Sequence, residues 1–381
     1  MKKILFIATS NIFLPSGGGL ANRALLKALQ DQYPGKVDVI HPKVSDKVPS
    51  NFYLVPDFSR IGKINGLLRG RVHKYNPWVQ NFIDQHQAEY SHCFINCGIF
   101  GDLVKDIQKR GIKVCVIHHN YEVEFQMDNR SMPTFGGRFP YFVKRNELNA
   151  YRYADLNLFL TNSDLETFKR VYGDISKGRN EVIGIFEDID RSFDHVKGKA
   201  LSPRNLVICG SLNSVQTVRG MEHFSTNCLP SLHEDFNEDF TLLLTGRNPN
   251  EYICKLAEND SRIRLVPNPE NMSETIIDSG IFICPTNVGG GIKLRVMDGL
   301  KLGMPVITHR VSARGYDAFW GKDWFQVYDD AESFKEALNN VVEIIKDNKG
   351  LRDEIIEDYR RYFSFSSGKE RFLSSVTSFL S

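Results

Sequence analysis

The chain of 381 residues has no long apolar run. Nothing in it approaches the roughly 18 consecutive apolar residues of a membrane-spanning helix, and residues 4–8 after Met1, Lys2 and Lys3 are too few for a secretory leader. It lacks a surplus of charge as well. Lys and Arg number 48 against 46 Asp and Glu, a formal net charge of +2, which disfavours nucleic acid as the principal partner, because that role needs a strongly basic face. Cysteine is scarce: there are seven, an odd number, with no C-x-x-C. Cys115, Cys209 and Cys284 sit in apolar runs where a thiol serves as a small hydrophobe, and Cys93 with Cys97 is a lone C-x-x-x-C, so neither disulfides nor a metal are expected. Two nucleotide signatures are missing too. The glycines after the first strand do not read G-x-G-x-x-G, and His41 and Pro42 stand where a nicotinamide fold would place its acidic residue. No G-x-x-x-x-G-K-[ST] loop occurs. A dehydrogenase and a nucleotide triphosphatase are thereby disfavoured, and a cytoplasmic globular protein is expected.

What is present is an alternation. Short apolar runs at 4–8, 37–40, 92–96, 113–117, 156–160 and 181–185 read as strands, separated by amphipathic helical segments at 20–29, 78–85, 101–109, 141–153 and 164–171. The pattern lapses in a polar, basic segment around 191–204 and resumes with strands at 206–209, 240–244, 262–266, 281–284, 305–308 and 325–328. Strands alternating with helices imply an α/β fold with parallel, doubly wound sheets, and the length exceeds what one core sustains. Two domains are therefore expected, residues 1–190 and 191–364, with ligands at the carboxyl ends of the strands in a cleft where the two face each other. The last helical segments, at 331–345, 351–362 and 367–380, have no strand after them. The final one, about 365–381, is expected to cap the second domain or to pack back on the first.

The most informative stretch is 281–310, which reads strand, triple-glycine turn, helix, strand. Gly289, Gly290 and Gly291 allow the backbone to turn tightly and approach a ligand, and helical spacing over 292–302 places their amides at a helix N-terminus, with Lys293 in its first turn. That is the grammar of a phosphate site.

Taken in chain order, further pieces resemble one family. They are Gly17-Gly18-Gly19 after the first strand, His118-His119-Asn120-Tyr121-Glu122 where an H-N-x-E segment often stands, and 207–212 with Arg219-Gly220 opening the second domain. Leu244-Thr245-Gly246-Arg247 and the block from Pro285 to Val306 complete the set. Over essentially its whole length the chain resembles the retaining glycosyltransferases of family 4, which have the GT-B architecture of two Rossmann-like domains. The resemblance implies transfer of a sugar from a nucleotide diphospho-sugar to a glycan or lipid-linked acceptor in polysaccharide biosynthesis, without a metal or other cofactor. It implies His119 near the reacting sugar as the catalytic residue. It places Gly18, Gly19, Ser211, Arg219, Arg247, Asn268, Gly290, Gly291, Ile292 and Lys293 around the donor's diphosphate and nucleotide, and Asp298 on the ribose hydroxyls. Departing diphosphate gains negative charge, so cationic and amide donors that tighten as it leaves speed such a reaction.

The chain departs from that family at Gly290, where the first carboxylate of the E-x-x-x-x-x-x-x-E motif is expected, and at Ser211, where many members have Arg. A sugar-nucleotide epimerase of the same architecture, or a binding subunit without turnover, are the competing readings. Asp188-Ile189-Asp190 spells D-x-D, but at the end of the first domain Asp190 reads better as a hinge or capping residue. Residues 61–78 carry Lys63, Arg69, Arg71 and Lys74 among aromatics with no acid, the composition of a peripheral membrane contact or of a solvated basic loop. Residues 135–145 add Arg138, Lys144 and Arg145, which suit an acceptor face.

Overall fold

The computed structural model describes residues 2–14, 17–44, 47–56, 76–128, 139–236 and 239–381. The chain divides into two compact units, one made of Met1–Asp190 with Phe363–Ser381, the other of Arg191–Tyr362. The first unit runs β1 (Lys3–Ala8), α1 (Gly17–Gln32), β2 (Val37–Pro42), β3 (Phe52–Val55), α2 (Asn76–His86), β4 (Tyr90–Asn96), α3 (Gly101–Gln108), β5 (Lys113–His118), α4 (Glu122–Asp128), α5 (Phe139–Tyr153), β6 (Leu156–Phe159), α6 (Asn162–Tyr172) and β7 (Arg179–Val182). Among the described residues its seven strands form one parallel sheet in the order β3-β2-β1-β4-β5-β6-β7. Ile4 to Ala8 and Val114 to Ile117 are completely buried, because a sheet covered by helices on both faces leaves no solvent side and selects unbroken apolar runs.

The second unit repeats the plan with β8 (Asn205–Ser211), α7 (Val215–Asn227), α8 (Leu229–Asp235), β9 (Thr241–Arg247), α9 (Glu251–Asn259), β10 (Ile263–Pro267), α10 (Met272–Ile276), β11 (Ile281–Cys284), α11 (Arg295–Leu300), β12 (Val306–His309), β13 (Phe325–Tyr328), α12 (Ala331–Asp347) and α13 (Leu351–Phe363). Its six strands are parallel in the order β10-β9-β8-β11-β12-β13. Two doubly wound α/β sheets are thus observed. In each, the strand order reverses once, between β1 and β4 and between β8 and β11, and such reversal points open a crevice beyond the strands' carboxyl ends.

Three boundaries differ from the expected ones for local reasons. Strand β3 was not expected: it is a four-residue edge strand between Pro49 and Pro56, too short to stand out from a loop. Strand β7 lies two to three residues earlier than the apolar run at 181–185, since Ile183 and Ile185 are buried beyond its end. The helix expected over 292–302 is only the six residues of α11. Gly291 before it has φ of +70° and Gly303 after it +68°, which holds both ends out of helical geometry. Helix α1, by contrast, begins earlier, and Gly17, Gly18 and Gly19 form its first turn.

The last helix, α14 (Phe365–Leu380), belongs to the first unit. Asp190 accepts the Ser366 N–H at 3.2 Å, capping the start of that helix, while Asp188 pairs with Arg23 at 2.6 Å, so both carboxylates of the D-x-D are engaged within the protein. Phe372 and Phe379 of α14 pack edge-on against Phe94. Among the described residues no helix is long and apolar enough to cross a membrane. The basic segments 61–75 and 135–138 lie outside the described residues; Trp78, just beyond the first, stacks on Phe82 with ring centroids 5.4 Å apart.

Gly368 of α14 packs closely against Phe186, and a Cβ there would overlap the Phe186 ring. Gly368→Val is expected to cost about 1–3 kcal/mol by overpacking. That corresponds to a fall in melting temperature of roughly 2–4 °C per kcal/mol, read by differential scanning calorimetry.

Candidate functional site

In the second unit, the ends of β8 and β11 bring four pieces of backbone together. Gly210 is in β8 with φ of +147°, and a Cβ on it would lie 2.7 Å from the Arg295 guanidinium; Arg295 in turn donates to Thr217 Oγ1 at 2.8 Å. Thr217 belongs to the first turn of α7, whose N-cap Ser214 accepts the Thr217 N–H. A Cβ on Gly289 would meet the Gln216 side chain of the same turn, and one on Gly220 would lie 2.7 Å from the Pro285 carbonyl oxygen. The glycine loop, the N-terminus of α7 and Arg295 therefore share one small region at the reversal of strand order.

Lys293 organises that loop. Its side chain is buried, 6% exposed, and its ammonium donates to the carbonyls of Gly289 at 2.9 Å and Gly290 at 2.8 Å, while Tyr316 O–H donates to the Lys293 carbonyl at 2.9 Å. The peptide bonds are trans. Two carbonyls turned toward the ammonium thus turn the N–H groups of the same peptide units, those of Gly290 and Gly291, away from it. No acceptor among the described residues takes either N–H, and buried amides without partners are uncommon. Lys293 itself precedes α11, whose N-cap is Leu294, instead of lying in its first turn.

The remaining residues expected around the donor are distributed about this region. Arg219 stands on α7 next to Gly220, half-buried, with no side-chain partner among the described residues. Ser211 ends β8 and donates to Asn213 Oδ1 at 3.0 Å; Arg247 ends β9 and is exposed. Asn268, with φ of +49°, gives its N–H to the Gly246 carbonyl at 2.7 Å and accepts the Asn248 N–H at 2.9 Å, so it clasps two strand ends. Ile292 is half-buried in the loop. Asp298 pairs at 2.5 Å with Lys301, the C-cap of its helix, and lies 3.9 Å from the Cys209 thiol. Sequence reading overlooked Arg295. Its signal was a second cation two residues after Lys293, and the structure explains why it counts: Gly210 has no side chain to obstruct its guanidinium. Thr286 Oγ1 and Asn287 Oδ1, leading into the loop, are buried without protein partners.

In the first unit, polar residues gather beyond β4 and β5. His119 Nε2 faces the Asn96 side-chain oxygen. His118 points elsewhere, with Nε2 against Asn157 Oδ1 at 2.9 Å and its ring stacked on Phe159 at 4.8 Å, as a core histidine. Burial lowers the pKa of both histidines to about 4, so both are neutral near pH 7. Cys97, with φ of +156°, donates its thiol to Glu122 at 3.2 Å, and Glu147 accepts both the Glu122 N–H at 2.7 Å and the Tyr172 hydroxyl at 2.8 Å. Burial and the neighbouring Glu122 hold the Glu147 carboxyl well above the usual carboxylate range. Gly18 is exposed and Gly19 buried at the start of α1. Among the described residues no three His, Cys, Asp or Glu side chains are grouped to hold a metal ion.

Residues 203–343 match the family model described as Glycosyl transferases group 1, a span lying wholly in the second unit and containing the glycine loop, Arg219 and Arg295. That span belongs to this family. The fold of the whole chain agrees. HepE from Anabaena, solved in complex with UDP, is similar with a TM-score of 0.66 at 12% identity, over 99% of this chain and 100% of that one. Sucrose-phosphate synthase from Thermosynechococcus elongatus gives a TM-score of 0.71 at 13% identity, over 100% and 99%. WaaG, described as a glycosyltransferase involved in lipopolysaccharide biosynthesis, gives 0.62 at 18%, over 97% and 99%. No curated protein matches on sequence. The structural similarity gives the whole chain the GT-B fold, and the span that matches the group 1 model is built around the loop that Lys293 holds.

Removing the Lys293 ammonium leaves two buried carbonyls of the group 1 domain without their donor. Lys293→Ala is expected to destabilise that unit by about 2–3 kcal/mol, the scale of hydrogen bonds to a charged group, measured by urea denaturation.

The two neutral histidines fix a pH dependence. Their folded pKa values lie below the unfolded value of about 6.5, so the stability they contribute is complete above that pH and is lost as pH falls toward about 4. Burial lowers the pKa of His41 and His92 of the same unit too, whereas Glu147 acts in the opposite sense. The expected result is a urea midpoint that drops on acidification from about 6.5 to about 4. A flat profile over that window would contradict neutral buried histidines.

Proposed function

We propose that the chain transfers a sugar from a nucleotide diphospho-sugar to a glycan or lipid-linked acceptor, with retention of anomeric configuration and without a metal. One observation carries the donor assignment: the Gly290 and Gly291 amides, unpartnered and turned from the Lys293 ammonium, lie in the loop that meets the N-terminus of α7, beside Arg295. A helix N-terminus, free backbone amides and a guanidinium suit a diphosphate better than any neutral group, and Arg binds phosphate oxygens in a bidentate fork. Arg219, on the same helix one turn further on, adds a second guanidinium. As the sugar bond breaks, the charge gathering on the departing diphosphate is met by these donors, which need no reorganisation because the buried lysine already fixes the loop.

The family resemblance supports retention, and with it a front-face path in which the leaving phosphate helps to accept the acceptor's proton. His119 takes the role of a neutral group near the reacting sugar. At Gly290 the loop presents an amide where the family places a carboxylate, which weakens the epimerase reading, since proton abstraction from a sugar wants carboxylates nearby. Binding without turnover is the outcome that would favour an inactive subunit.

Incubation with a panel of UDP-, GDP-, ADP- and TDP-sugars is expected to release nucleotide diphosphate with one of them. Arg295→Ala and Arg219→Ala are each expected to weaken binding of that diphosphate about 10- to 100-fold by calorimetry, as for loss of a charge-assisted hydrogen bond. Unchanged affinity in both would exclude the site.

A further inference from the structure

Asn96 ends β4 and His119 comes directly after the end of β5; the two strands are neighbours in register, Ile95 opposite Val116. Asn96 is completely buried. The next residue constrains its backbone: Cys97 occupies the left-handed region at φ +156° and leads directly into a short turn of 3-10 helix, Gly98–Phe100. The side-chain oxygen of Asn96 faces His119 Nε2, and its amide nitrogen has no partner among the described residues. His118, one residue earlier, is committed to Asn157 and Phe159 on another side, so the two imidazoles serve separate purposes.

We infer that Asn96 is a positioning residue for His119, fixing its tautomer so that Nδ1 keeps its lone pair for a sugar hydroxyl. An amide oxygen only accepts, so opposite it Nε2 must carry the proton, and Nδ1 of the neutral ring is left as an acceptor. The unpartnered Asn96 NH2 remains available as a donor to the same ligand. Asn96, His119 and their surroundings thus present one acceptor and one donor, both uncharged, a set that suits neutral hydroxyls better than phosphate. The inference rests on the reading of His119 as a group that meets the transferred sugar.

The experiment compares Asn96→Ala with Asn96→Asp in the full chain. Asp supplies acceptors only, so it preserves the pairing if the oxygen faces the ring and destroys it if the amide nitrogen does. Long-range 15N–1H spectra of histidine-labelled protein, with His119→Gln used for assignment, are expected to show His119 as the Nε2–H tautomer in the wild type and in Asn96→Asp. Asn96→Ala is expected to show a mixture. In turnover, Asn96→Ala is expected to lower kcat roughly tenfold to a hundredfold with donor KM nearly unchanged, and Asn96→Asp to recover most of it. An Nδ1–H tautomer in the wild type, or equal losses of kcat in the two variants, would overturn the inference. The tautomer is read without turnover: a chain that is inactive on every donor yet shows the Nε2–H ring in the wild type and in Asn96→Asp supports the positioning and fails only the functional reading.

Discussion

A buried ammonium is the constraint on which the glycine loop of the second unit depends. A lysine 6% exposed would be costly if left alone, because removing a charge from water without partners takes several kcal/mol. Lys293 is compensated by two loop carbonyls, and satisfying it dictates which way the peptide units of the loop face. The carbonyls go inward to the cation, the amides go the other way, and Tyr316 anchors the Lys293 peptide itself. Glycine is needed here because Gly289 and Gly291 have φ of +90° and +70°, conformations that a side chain would strain. The same ammonium that looks from sequence like a phosphate ligand is thus bonded as a structural brace, and under the proposed function the amides it frees, with Arg295, are the groups that meet the anion.

That reassignment shows where sequence reading stops. Parallel sheets were legible because burial on both faces leaves a run such as Ile281–Cys284 without a single polar residue, and the strand ends there as expected. Strand β3 was not legible, since an edge strand carries half-exposed residues and prolines on either side and so has no pattern of its own. The glycine loop was legible as a loop. Its side-chain directions were not: the i, i+4 relation of Gly289 and Lys293 suggests a helical turn, and only the geometry reveals that Lys293 Nζ bonds back to that very carbonyl. Arg295 escaped for a complementary reason. Its role depends on Gly210, 85 positions away in sequence, leaving room for a guanidinium, and no local pattern records such a long-range vacancy of side chain.

The first unit illustrates the same limit with histidines. Adjacent His118 and His119 differ in nothing local except strand alternation, which does turn one into the core. What separates them is their partners, Asn157 on β6 for one and Asn96 on β4 for the other, brought in from neighbouring strands by the sheet order. The acidic residues close by are likewise arranged by topology: Glu147 of α5 and Glu122 of α4 come together near Tyr172 of α6, and burial, with repulsion between the two carboxylates, keeps Glu147 from ionising readily.

The two units therefore use one topological device with opposite electrostatics. Both open at a reversal of strand order, where diverging connections leave room for a ligand. In the second unit that opening is furnished with a guanidinium and unpartnered amides, all donors and partly cationic. In the first, the ends of β4 and β5, next to the reversal between β1 and β4, carry neutral imidazole, amide and a carboxyl whose pKa is raised, hydrogen-bonding groups that impose little field.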